Sequence, residues 1–279
     1  MNLEDLSITV RERTLGELFD LGLLLVRRHL RSIAILAAVG VLPCIVVDVL
    51  VMLAFDDLSW HALSWLVVLI TAQAPLACAP ISAFLGEAMF NARPTVREGL
   101  ARFRDHVGPL IGLSLLRGLV VGVGVLVFHG VGDGLVGLIS LGVLLFYPAH
   151  VVEVILLERQ GFRASLKRAN QLMSAWRSEA VTHLLVAGLA IVGGVLIGVI
   201  AAAEVANLLF WNILDFEEWW LWFHPRAAFI TVILPWPIIV YLSAVRFLAY
   251  IDLRTRREGW EIELDLRRAG RRLDPQGTP

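Results

Sequence analysis

The sequence predicts an all-α membrane protein: a six-helix transmembrane bundle with three cytoplasmic interfacial helices. Three observations lead there. Hydrophobic residues make up 58% of the chain and charged residues 18%, and the mean hydropathy is +0.75, outside the range of soluble domains. The apolar residues fall in blocks of about 20 or more, enough to cross ~30 Å of hydrocarbon as a helix. These blocks are continuously apolar instead of alternating, which selects helices over a barrel.

The six blocks run Ser32 to Phe55, Leu63 to Gly86, Pro109 to Phe128, Leu135 to Leu157, Val181 to Ala203 and Ala227 to Tyr250. They divide the chain into a cytoplasmic N-terminus with an interfacial helix (1–31), a six-span domain (32–250) and a basic tail (251–279). The opening "MNLEDLSITV" has two acids and no signal-peptide pattern, so Met1 is expected to be retained. Cys44 and Cys78 fall inside spans, where a small apolar role is the expectation instead of a disulfide or a metal site.

Charge orients the bundle. The net charge of −1 hides an asymmetry. Arg11, Arg13, Arg27, Arg28 and Arg31 precede span 1, and Arg93, Arg97, Arg102 and Arg104 separate spans 2 and 3. Arg159, Arg163, Lys167, Arg168 and Arg177 separate spans 4 and 5, and Arg254, Arg256, Arg257, Arg267, Arg268, Arg271 and Arg272 follow span 6. The opposite connections hold Arg226 beside Asp56, Asp57, Asp133, Asp215, Glu217 and Glu218. The positive-inside rule then puts both termini in the cytoplasm. Because the basic residues follow the membrane side, the expected partners are membrane lipids, with another membrane protein or a second copy also open, and no nucleic acid is implied.

Three basic segments share one pattern: "TLGELFDLGLLLVRRHLRS", "TVREGLARFRDHVG" and "GFRASLKRANQLMSAWRSE". Each mixes Leu or Phe with Arg at helical spacing and leads into a span, giving three pseudo-repeats of interfacial helix plus hairpin. Leu18, Leu100 and Leu166 stand in comparable places, and Phe162, Leu166, Ala169 and Met173 form an apolar stripe. Pro43, Pro75, Pro80, Pro148, Pro235 and Pro237 predict kinks within spans, and Gly118/Gly122 and Gly194/Gly198 predict close helix packing.

The segment "ILLERQGFRASLKRANQLMSAWRSE" and the tail "AYIDLRTRREGWEIELDL" resemble recurrent segments of a broad family of bacterial polytopic membrane proteins. That family is related to the integral-membrane domain of some glycerophosphodiester phosphodiesterases. The sequence departs from the pattern at Gln160, Ala169 and Asn170. The resemblance implies a membrane domain alone, since no block outside the spans is long enough for the hydrolase barrel, and phosphodiesterase activity is not implied.

No H-E-x-x-H, G-x-S-x-G, P-loop or Cys/His cluster is present, so neither catalysis nor a cofactor or metal is expected. The candidate intramembrane polar site is Asp48, Arg117, His150 and Glu153, because an ionisable group in hydrocarbon faces a cavity or a partner. An Arg117–Glu153 pair is expected between neighbouring spans, while Glu87, His183, Glu204 and Arg246 sit near span ends and can reach the interface. Trp211, Trp219, Trp220 and Trp222 form candidate outer-interface aromatics, and Leu253, Trp260 and Leu264 a candidate tail anchor. Two functions follow: a non-enzymatic scaffold or complex component acting through lipid or protein contacts, or a small permease with a polar interior.

Overall fold

The computed structural model describes residues 14–54, 60–91, 94–131, 150–173 and 232–258. These residues form eight helices: α1 (Leu15–Arg28), α2 (Leu30–Met52), α3 (Trp60–Phe90), α4 (Val96–Asp105), α5 (Val107–Val131), α6 (Val151–Glu158), α7 (Phe162–Met173) and α8 (Pro235–Glu258). The all-helical reading holds among them. Four are long and apolar enough to cross a membrane, over Leu30–Met52, Ser64–Met89, Val107–Leu126 and Pro235–Thr255. They correspond to the first, second, third and sixth blocks. Of the fourth block only the end, α6, is described. The block Val181 to Ala203, Gly194 and Gly198, Pro148, the four outer-loop tryptophans, and Trp260 and Leu264 lie outside the described residues.

Helix α3 is the hub, packing against α2, α4, α5, α6 and α8. Small residues make that possible. On α2, a methyl built at Gly40 would overlap the Ala77 carbonyl oxygen of α3, so only glycine admits this approach. On α5, a methyl built at Gly118 would stand 3.0 Å from the Ala72 side chain and one at Gly122 3.7 Å from that of Val68, so the predicted glycine pair packs within the chain. The apolar surfaces left over point outward. Ile35, Val39, Leu42, Val46 and Leu50 form one stripe of α2, and Ile111, Leu115, Leu119, Val123 and Leu126 one of α5, all exposed. Water would not tolerate such belts, whereas lipid tails do.

The three predicted amphipathic helices exist as α1, α4 and α7, and each buries one face on protein. Helices α1 and α4 open with capping boxes, Thr14 with Glu17 and Thr95 with Glu98, in which each threonine hydroxyl accepts from the glutamate N–H and each glutamate accepts from the threonine N–H. Helix α1 lies on α8 through Leu18, Gly22 and Leu25, with Tyr241 Oη donating to the Phe19 carbonyl at 2.8 Å. Helix α4 sets Gly99 against Phe84 of α3, and Arg102 pairs with Glu87. On α7 the buried positions are Ser165, Ala169 and Leu172, with Phe162 packed against the core. Leu166, expected on the apolar stripe, is half-buried. Counting from the caps, Phe19 and Leu100 are equivalent, one residue away from the Leu18–Leu100 match expected from the sequence.

Prolines divide in two groups. Pro43, Pro75 and Pro80 are inside helices as expected. Pro235 opens α8 directly after a turn at Leu234 that separates it from helical Val232 and Ile233, so the expected break falls at this proline, and Pro237 lies in the first turn of α8. Helix α8 then continues past the expected end at Tyr250 to Glu258, and Leu253 leans on the main buried cluster.

Candidate functional site

Two polar clusters lie inside the bundle. The first joins α2, α3 and α8 around Asp48, which is fully buried. Gln73 Nε2 donates to its Oδ1 at 2.9 Å and Trp236 Nε1 to its Oδ2 at 3.3 Å, so each carboxylate oxygen has a donor. Hydrogen bonding of this kind offsets the desolvation that burial imposes on an acid. One turn earlier, the Cys44 thiol donates to the Gly40 carbonyl at 3.3 Å. Both cysteines are free, as expected.

The second cluster joins α3, α5, α6 and α8. Arg246 Nε donates to Glu153 Oε1 at 2.8 Å, with Glu153 fully buried. Arg246 was expected to reach the interface; α6 presents Glu153 to α8, and the guanidinium meets that carboxylate while 21% of the Arg246 side chain stays exposed. Helix α8 thus supplies the cation expected from Arg117. Arg117 stands on α5, which packs against both α3 and α6. His150 caps α6 one turn before Glu153, and its ring lies 6.1 Å from that of Tyr250. Of the four predicted polar residues, Glu153 pairs with Arg246, His150 stands one turn before it, Arg117 is on the adjoining α5, and Asp48 belongs to the other cluster.

One turn further along, Glu158 collects three donors: Tyr250 Oη at 2.9 Å, Arg168 Nε at 3.1 Å and Gln160 Nε2 at 3.4 Å. The chain reverses there. Arg159 adopts a left-handed conformation (φ 54°, ψ 38°) that ends α6, and Ser165 Oγ donates to the Gln160 carbonyl at 3.2 Å as α7 begins. This places the α6–α7 turn against α8 beside the ion pair.

Outside the spans, burial and then the neighbouring Arg28 charge lower the pKa of His29, whose ring meets Phe84 edge-on at 5.6 Å. The Thr95 backbone N–H and then its hydroxyl hold the Glu98 carboxyl below the ordinary glutamate range.

Sequence reasoning missed Gln73, Trp236, Arg246, Glu158 and Tyr250 as members of these clusters. Gln73 had a readable signal, being an amide in the middle of an apolar run. No comparable signal marked Trp236, since an indole in a span ordinarily reads as packing.

Four apolar spanning helices with interior polar clusters define an α-helical membrane protein. No family model, curated protein or solved structure matches the chain.

Proposed function

We propose that the chain is a six-span bacterial inner-membrane protein with both termini in the cytoplasm, built as three repeats of amphipathic helix plus hairpin, and that it acts as a non-enzymatic scaffold or complex component through lipid and protein contacts. The sequence resemblance to the membrane domain associated with glycerophosphodiester phosphodiesterases supports this reading, without the hydrolase. So does the charge distribution: Arg27, Arg28, Arg31, Arg102, Arg104, Arg159, Arg163 and Arg168 cluster where α2 and α5 begin and α3 and α6 end.

The observation that carries the scaffold over a permease is the separation of the two polar clusters. Beside the first of them, Val41, Ala77 and Trp236, the last of which also donates to Asp48, pack as an apolar cluster with Ala37, Cys44, Ile70 and Ile239 around it. A specific observation favours the second reading, a small permease: the Glu153–Arg246 pair is placed inside the bundle, and ionisable groups held there commonly mark solute paths.

Purification in mild detergent, with mass spectrometry of retained protein and lipid, tests the choice. A defined lipid or partner retained in fixed ratio is the expected outcome. A bare protein whose proteoliposomes take up a solute replaces the scaffold with the permease. Reporter fusions test the orientation separately: a periplasm-active reporter should work near Asp215 and fail after Asp274.

A further inference from the structure

Cys78, Ser82 and Gly86 form one stripe of α3, spaced at i, i+4 and i+8. Helix α3 packs against both α6 and α8, and the last member of the stripe lies against the Leu157 side chain, one turn past Glu153 on α6. Ser82 is thereby bracketed beside the ion pair, and it is almost wholly buried (1% exposed). The pair itself is joined by one bond only, Nε to Oε1, and not by the two parallel bonds an arginine fork can make. Among the described residues, Glu153 Oε2, Arg246 Nη2 and Ser82 Oγ have no hydrogen-bond partner. Buried polar atoms in native proteins are nearly always satisfied, so three together call for a ligand that complements them.

We propose that Ser82, Glu153 and Arg246 form a binding site for a small singly charged oxyanion that keeps an acidic O–H, the class of hydrogen carbonate and dihydrogen phosphate. Its charged oxygens accept from Arg246 Nη2 and the Ser82 hydroxyl, and its O–H donates to Glu153 Oε2. An anion without a proton meets the bare carboxylate oxygen and is repelled, which makes the O–H the determinant of selection. The inference rests on the transmembrane reading and holds for a scaffold or a permease alike. Resistance to alkaline carbonate extraction tests that reading by itself.

The experiment uses the full chain in phosphatidylcholine nanodiscs, with thermal unfolding followed by tryptophan fluorescence in sodium chloride, nitrate, hydrogen carbonate or dihydrogen phosphate at equal ionic strength. Saturable stabilisation by the last two and none by the first two is expected. Ser82→Ala leaves the ion pair intact and removes one hydrogen bond to an anion, so the apparent affinity should fall roughly ten- to a hundredfold. The general salting effect of phosphate acts on both proteins alike, so the difference between them is the readout. Glu153→Gln places an amide donor in the region of Oε2 and should admit nitrate. Equal responses of the parent and Ser82→Ala overturn the site, and parent stabilisation by nitrate equal to that by hydrogen carbonate overturns the O–H requirement.

Discussion

Helices α2 and α3 are both long and apolar enough to cross a membrane, yet they occupy opposite places in the fold. The α2 window has a mean hydropathy of 2.7 with 28% of its residues buried, whereas that of α3 has 1.8 with 56% buried. The other pair repeats the contrast: 2.0 and 17% for α5, 1.4 and 50% for α8. The greasier helices face outward and the less greasy ones form the interior. Lipid is as apolar as leucine, so hydrophobicity assigns a helix to the membrane without drawing it to other helices. What draws α3 and α8 inward is small residues and polar partners: Ala77, Ala79, Ala83 and Gly86 on one, Trp236, Arg246 and Tyr250 on the other.

The contrast can be broken at its polar side first. Glu153→Leu strands the Arg246 guanidinium, and the loss should be about 3–5 kcal/mol, while Glu153→Leu with Arg246→Leu should lose less than the sum of the single changes. Thermal unfolding in detergent gives both numbers, and strict additivity would count against the pair. Next comes the close approach of α2 to α3. Gly40→Ala drives a methyl into the Ala77 carbonyl, a backbone atom that no rotamer relieves, and should destabilise by about 1–3 kcal/mol in the same measurement. Trp236→Phe removes one donor to Asp48 and leaves a small cavity where the buried indole was, with an expected loss of about 2 kcal/mol.

At the membrane surface the effects shrink and become local. Thr95→Ala removes the cap of α4 and should raise amide exchange over Val96 to Leu100 without lowering the global unfolding temperature much. Acid should act at the same place. The folded pKa of Glu98 is below its unfolded value, so its stabilisation is complete above the ordinary glutamate range and is lost as pH falls through the folded value. Exchange at the start of α4 should therefore rise on acidification in the parent and change less in Thr95→Ala. Smallest of all, Leu42→Ala and Leu119→Ala on the outward stripes should stay within about 0.5 kcal/mol, and a loss comparable to that of Gly40→Ala would mean that these stripes pack on protein.

Much of this organisation was legible in the sequence. Block length marked the four described helices long enough to span, and Leu or Phe mixed with Arg at helical spacing marked α1 and α4. Glu153 and Arg117 were legible as polar exceptions in apolar runs. The partner of Glu153 was not, because Arg246 is 93 positions away and nothing local says which face of α8 meets α6. Gly40 was equally hidden, since a lone glycine among twenty apolar residues carries no packing signal until α3 is seen beside it.

At His29 and at His106 the chain leaves helical geometry for a single residue, with nearly the same dihedrals (φ −111°, ψ 24° and φ −119°, ψ 13°). Hydrogen bonds nonetheless run on through each joint: His29 N–H to the Leu25 carbonyl and Ile33 N–H to that of His29, then Leu110 N–H to that of His106. Each amphipathic helix and the span it leads into are consequently a bent rod, not two rods on a string. Helix α1 is fastened to α8 and α4 to α3, so the angle at which α2 and α5 stand is set through these joints by helices elsewhere in the bundle. The surface helices work as struts, and a push on one of them is a torque on a span.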